Sequence, residues 1–360
     1  MKKKFLSTML IFALILLGVA CNNKKEEKTN KKETENTVKK EEKTFKDSKG
    51  REIKVPDKIE SVMLFNQNCY NMLKVIDETS KITGVSDGVK EAVKSGIKVY
   101  GKWNEPNVER IIEAKPQVFI GYSLYIKEDV EKKLTDAGIQ VVYLDFYRSE
   151  DVAKEVRNLG MLFKKEEQAE KYAKFLEENN KLLEERLKGI KEDEKVKVYY
   201  EGYSDFVSAA KGTGGDDLVK RAGCINLAEK ESAKYPKISA EWVIEKNPDL
   251  IVKITSNSKN ILGIGIKDTA KAKELYDSIV KRAGWSNLKA VKDNKFIILA
   301  SEIGTNVEGM TVGSMMIAKT AYPEKFKDVN PLEIYKKMRV EFFKEKEKNF
   351  KIVADRKSVV

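Results

Sequence analysis

The chain contains no histidine. Without imidazole it can build no Ser-His-Asp or Cys-His relay, and no imidazole-ligated zinc, manganese or haem centre. What it offers instead is carboxylates, aromatics and amides in particular places. One pair of carboxylates recurs inside a longer repeat: Val108–Ile120, "VERIIEAKPQVFI", superposes on Ala240–Val252, "AEWVIEKNPDLIV", at an offset of 132. Glu109 then falls on Glu241, Ile112 on Ile244, Glu113 on Glu245 and Pro116 on Pro248, with apolar residues at matching positions afterwards. An acid in the first turn of a helix is favoured by the helix dipole, so each Glu has a purely structural use as well.

The aromatics and amides gather in short stretches that follow strand-like runs. These are "NQNCY" (Asn66, Gln67, Asn68, Tyr70), "GKWNEPN" (Trp103), "GYSLY" (Tyr122, Tyr125), "EGYSDF" (Tyr203, Phe206), "TSNSK" (Ser256) and "ASEIGTN" (Glu302). In an open α/β sheet such loops are where ligands bind. Flat rings with polar tips beside amides suit a large, planar or amphipathic ligand, although each residue taken alone is an ordinary loop residue. The stretches contain no Arg, and Lys102, Lys211 and Lys259 are the nearest cations. An Arg cluster of the kind that grips strongly anionic catecholates is therefore not in view.

These loops need a frame, and the sequence supplies an alternating one. "NMLKVIDETSKITGVS", "NVERIIEAKPQVFIGYS" and "EDVEKKLTDAGIQVVYLDF" each run from helix to strand, and Gly138 closes the last of the helices. That alternation predicts an α/β lobe at 45–162 with a mainly parallel sheet covered on both faces by helices. Residues 163–190 break it with one long amphipathic helix: Ala169, Tyr172, Ala173, Leu176, Leu183 and Leu187 follow helical spacing. A helix over 163–188 would reach about 39 Å, enough to join two lobes. A second α/β lobe follows at 191–345. Its last helix carries Leu332, Tyr335, Met338 and Phe342 on an apolar face that is expected to pack on that lobe, before a charged tail at 346–360. Trp285 and Trp242 read as packing residues rather than pocket residues.

The first twenty residues differ from the rest. Three Lys precede an apolar run too short to span a bilayer, then Val19-Ala20 meets Cys21. This is an export signal ending at one cysteine. Residues 22–44 hold eight Lys, six Glu and one apolar residue, Val38, so residues 21–44 read as a solvated tether. The net charge of +12 comes without an Arg/Lys stripe interleaved with aromatics, which argues against nucleic acid. Cys69 and Cys224 fall in different lobes and read as two unpaired thiols.

The order of these pieces resembles a family. A signal-terminal Cys21, "DSKGREIKVPDKIESV", "PNVERIIEAKPQVFI", a long helix, "KGTGGDDLVKRAGCINLA", "ISAEWVIEKNPDLIV" and "GWSNLKAVKDNKFIIL" together look like the substrate-binding lipoproteins of ABC importers for iron complexes and vitamin B12. Two departures are Gly18, where the lipoprotein signal usually has Leu, and Cys224, where the family usually has a second Gly after Gly223. The resemblance implies a monomeric binding protein, not an enzyme, with no intrinsic cofactor, held outside the membrane by a lipid on Cys21. It implies a metal-complex ligand captured between two lobes, either an iron complex (ferric siderophore or haem) or a cobalamin. It also implies a permease dimer with its ATPase as partner, met by Glu109 on one lobe and Glu241 on the other.

Overall fold

The computed structural model describes residues 43–256, 259–346 and 350–355. After a short antiparallel hairpin, β1 (Thr44–Lys46) with β2 (Glu52–Lys54), the chain builds a four-stranded sheet. Its members are β3 (Val62–Leu64), β4 (Ile82–Val85), β5 (Val118–Gly121) and β6 (Gln140–Tyr143). They lie in the order β4-β3-β5-β6, all parallel. Helices α1 (Gln67–Val75), α2 (Val108–Ala114) and α3 (Glu128–Asp136) supply crossovers. Side chains alternate between two apolar layers. Val62, Leu64, Val118, Ile120 and Val142 enter one, while Met63, Phe65, Phe119, Val141 and Tyr143 enter the other. Burial on both faces is what a parallel sheet with helices on either side requires.

Two packed helices then lead away, α4 (Val152–Phe163) and α5 (Glu166–Leu187). The long helix starts later than its apolar spacing suggests, because Lys164 adopts a left-handed conformation (φ 55°) and ends α4. At 22 residues α5 is about 33 Å long. The second sheet follows: β7 (Lys197–Glu201), β8 (Ile225–Asn226), β9 (Leu250–Thr255) and β10 (Phe296–Ala300), in the order β8-β7-β9-β10, again parallel. Its crossovers include α6 (Gly214–Arg221) and α7 (Ala240–Lys246). The two lobes share one strand order.

The repeated corner is the same object in both. Helices α2 and α7 each have seven residues, capped by Asn107 Oδ1, which accepts from Arg110 N, and by Ser239 Oγ, which accepts from Trp242 N. Both end on a left-handed residue, Lys115 (φ 49°) and Asn247 (φ 41°). Pro116 and Pro248 then forbid further helix, and the chain enters the central strand of each sheet.

Two stretches differ from their sequence reading. Residues 346–360 read as a charged tail, but β11 (Val353–Asp355) adds antiparallel to β10, with Ile352 and Ala354 buried. A three-residue apolar run, Ile352–Val353–Ala354, between charged residues is too short to signal a strand until a partner edge exists. The final helix, α9 (Pro331–Glu341), packs on the linking helix as well as on the second lobe. Phe342 lies 5.0 Å from Tyr172 and 5.2 Å from Phe175, and Tyr172 donates to Met338 Sδ at 3.8 Å. Trp285 is fully buried between Tyr199 and Phe206, and Trp242 packs beside Tyr199. Cys69 and Cys224 are buried free thiols.

Helix α8 (Val307–Ala321) is buried over most of its length. It lies against the backbone of the preceding turn: a methyl group on Gly309 would sit 1.9 Å from the Glu302 carbonyl oxygen, and one on Gly313 1.9 Å from that of Ile303. Neither backbone oxygen can yield cheaply. Gly309→Ala should therefore cost roughly 1–3 kcal/mol of stability through overpacking, in spite of alanine's better helix propensity; chemical denaturation measures it, and a gain in stability would show that α8 is not seated this closely.

Candidate functional site

In the first lobe the chain order reverses between β3 and β5, so the loops leaving those two strands diverge and leave a crevice at the sheet's C-terminal edge. A cavity of about 630 Å³ occupies that edge. It is lined by Gln67, Asn68, Ser86, Gly88, Trp103, Tyr122, Leu124, Tyr125 and Tyr147 of the first lobe and by Gly212 and Lys234 of the second. The volume suits a ligand of several rings.

Each wall is held from behind. Asn66 caps α1, accepting from Asn68 N and Cys69 N, and it donates to the carbonyls of Leu144 and Asp145. Asn68 Nδ2 donates to the carbonyl of Phe146 at 2.9 Å. Glu155 of α4 accepts from Asp145 N and Phe146 N. These bonds fix the turn at Phe146 (φ 51°) that presents Tyr147. Asp145 turns its carboxylate the other way, accepting from Ser123 N at 2.6 Å and Ser123 Oγ at 2.5 Å, and so locks the turn that carries Tyr122 and Tyr125. Burial pushes the carboxyls of Asp145 and Glu155 above the usual range, against the pull of these donors. A second, polar cavity of about 350 Å³, flanked by Asp47, Ser48, Asp145 and Glu155, is the reverse side of this network.

Trp103 stands on a two-residue antiparallel ladder, Gly101–Lys102 with Glu105–Pro106. Asp87 anchors its base, donating N–H to the Gly101 carbonyl and accepting from Trp103 N at 3.1 Å. Gly101 has φ 134°, and a Cβ there would meet Glu105 O at 2.6 Å, so the turn requires glycine. The rings of Trp103, Tyr122 and Tyr125 meet edge to face, with centroids 4.8–6.2 Å apart and planes 75–89° apart. Burial pushes the Tyr122 phenol up to about 12, which keeps it a neutral donor at physiological pH.

The structure thus brings Gln67, Asn68, Trp103, Tyr122 and Tyr125 into one cavity. It places the other sequence candidates elsewhere. Asn66 is fully buried as a cap, and Tyr70 is buried in the core under Lys74. Glu302 is buried, accepting from Ile264 N at 3.3 Å and from Ser301 Oγ at 3.4 Å. Tyr203 shares a 2.8 Å hydrogen bond with Thr305 Oγ1, while Lys211 is exposed beside Gly212 and Ser256 lies just past β9. All six follow a strand, Tyr70 within α1 and Glu302 in a helical turn, but the strand-end rule does not say which way a side chain points.

Several residues escaped the sequence reading. Tyr147 follows β6 just as Tyr122 follows β5, so the rule applied to the fourth strand would have found it. Lys234 has no such signal. Arg282 comes from a distant segment onto the 201–206 loop, where it and Lys253 clamp Glu201 at 2.7 and 2.9 Å. Burial raises the Glu201 carboxyl, but the two cations outweigh it and hold it below its ordinary value. Arg282 also lies over Phe206 and Trp285, 4.2 and 4.7 Å from their centroids.

Glu109 and Glu241 are both exposed in the first turns of α2 and α7. Hydrogen bonds from its own backbone N–H and from the Ser239 hydroxyl hold the Glu241 carboxyl below the usual range. Across the lobes, Asn71 donates to Glu308 at 2.9 Å and Ser149 to Asp217 at 3.1 Å.

The profile of the periplasmic binding protein family matches residues 65–303, which runs from just after β3 to just past β10 and includes the helices between the two sheets. The chain belongs to this family. It is accordingly a binding protein rather than an enzyme, and what it holds is cargo, not cofactor. It is 24% identical over 318 residues to the molybdate-binding protein MolA of Haemophilus influenzae, covering 79% of this chain and 86% of MolA. It is 27% identical over 331 residues to YvrC of Bacillus subtilis, described as an uncharacterized ABC transporter substrate-binding lipoprotein, covering 89% and 98%. Among solved structures, the TroA-like periplasmic binding protein FepB of Veillonella parvula superposes with a TM-score of 0.73 at 23% identity, covering 87% of this chain and 99% of that one. No described helix is long and apolar enough to cross a membrane; Cys21, its signal and the tether up to residue 42 lie outside the described residues, while Thr44, read as the tether's last residue, begins β1.

Proposed function

We propose that this chain is the extracytoplasmic substrate-binding component of an ABC importer, that it captures an iron complex (a ferric siderophore or haem) between its lobes, and that a lipid on Cys21 anchors it. The observation that carries the reading is the inter-lobe cavity. Its wall is aromatic and amide, with Lys234 as its charged side chain and no carboxylate or thiol among the described lining residues. A bare divalent ion lacks its usual carboxylate, thiolate and imidazole ligands there, which favours a metal that arrives already wrapped. A bare oxyanion such as molybdate, the ligand of MolA, would leave most of the 630 Å³ unfilled. Cobalamin is the second reading, favoured by flat walls beside the amides of Gln67 and Asn68, which match a corrin ring with amide arms.

A thermal-shift screen of the purified protein against ferric hydroxamates and catecholates, haemin, cyanocobalamin and molybdate tests the cargo. The correct compound at 100 times its dissociation constant should add about 2.7 kcal/mol to stability. A shift with molybdate alone would overturn the metal-complex reading.

Docking follows from the repeated corner. Glu109 and Glu241 occupy matching exposed positions on matching helices, as a two-fold permease would need, and neither lines the cavity. Charges at the rim of an interface set register and encounter rate. Glu109→Lys with Glu241→Lys should abolish uptake through the reconstituted permease and leave cargo affinity unchanged, each single reversal doing part of the damage; normal uptake by the double variant would reduce both residues to helix-starting acids.

The anchor stands on the signal and tether. Cys21→Ser should move the protein from the membrane to the soluble fraction with ligand binding intact, and a variant still sedimenting with membranes after signal cleavage would refute lipidation.

A further inference from the structure

The offset that superposes Glu109 on Glu241 extends further back along the chain than the corner. It also sets Lys102 on Lys234, Trp103 on Tyr235, and the cap Asn107 on the cap Ser239. In the first lobe Trp103 lines the cavity, six residues before Glu109. In the second lobe Lys234 lines the same cavity, and Tyr235 stands beside it, six residues before Glu241.

Tyr235 is 65% exposed, more than a tyrosine needs for its hydroxyl alone. It is not on a slack loop. Ala210 N donates to Lys234 O at 2.9 Å, Ser208 N to Pro236 O at 2.9 Å and Ile238 N to Phe206 O at 2.7 Å. This ladder is long-range, pairing 234–238 with 206–210, where the one beneath Trp103 is a local hairpin, but both hold the backbone fixed. The bonds to Phe206 and Ser208 put this segment on the same flank as the 201–206 loop. Of the large apolar side chains left exposed, Trp103, Leu124, Tyr125 and Tyr147 line the cavity, and Tyr235 is next in sequence to the lining residue Lys234. An aromatic ring held out on fixed backbone binds without an ordering cost.

We infer that Lys234 and Tyr235 are the second lobe's ligand-contacting pair, the counterpart of Trp103 on the first, and that the cargo presents a flat or apolar body to the rings and an anionic or acceptor group to Lys234. This rests on the importer reading, and the test separates the two. Calorimetric titration of the full chain in detergent with haemin, cyanocobalamin and ferric desferrioxamine in turn gives the wild-type affinity. Tyr235→Ala should then weaken the bound probe by roughly three- to tenfold, the range for losing a stacked ring, and Tyr235→Phe should retain it. Lys234→Gln should weaken binding and flatten its dependence on salt, whereas Lys237→Gln, on the same segment but away from the cavity, should change nothing. Unaltered melting temperatures exclude misfolding of the variants. Wild-type binding that survives Tyr235→Ala and Lys234→Gln overturns this pair while sparing the importer reading; failure of the wild type to bind any of the three overturns the metal-complex cargo and the pair with it.

Discussion

Strands that run parallel all end at one edge, and everything distinctive about this protein follows from that constraint. β3, β4, β5 and β6 send their following loops to a single rim, where the reversal of order between β3 and β5 opens a crevice. The second sheet repeats the order and opens its own. Loops of the two lobes, held on one two-helix connector, make a site from residues that lie far apart in sequence: Gln67, Trp103, Tyr147 and Lys234 share one cavity.

The rim stays rigid because polar groups behind it are satisfied. Asp145 and Glu155 are buried carboxylates whose oxygens go to backbone N–H groups and serine hydroxyls of the rim turns. In the second lobe Glu201 plays a similar part with Lys253 and Arg282 as partners. Removing one member would strand the others without water, which costs far more than the net worth of the bonds. The cleft wall itself can then remain aromatic and nearly uncharged.

How much of this the sequence disclosed depends on range. The repeated corner, the helix–strand alternation and the packing role of Trp285 are local patterns, and each appears where its residues indicate. Asn66, Tyr70 and Glu302 read as cleft residues because their place after a strand is local but side-chain direction is not. Asn66 turns inward to carbonyls 78 and 79 residues away. β11 and the seating of α9 on Tyr172 and Phe175 likewise depend on partners that no window of sequence contains. Arg282 was invisible for the same reason: its place beside Glu201 is set by 81 residues of intervening fold.

The spacing from Trp103 to Glu109, and from Tyr235 to Glu241, leaves no slack chain between the cleft and the outer face of either lobe. Each six-residue run is spent on one ladder and one helix cap, Asn107 or Ser239. Insertions are absorbed where a loop hangs free, and here none does. A graft that exchanged the Trp103 turn for a longer one to admit a new cargo would pull Asn107 off the start of α2 and unseat the surface beyond it. The aromatic ring and the exposed acid are therefore carried on one short fixed run in each half of the molecule, and neither can be repositioned by length.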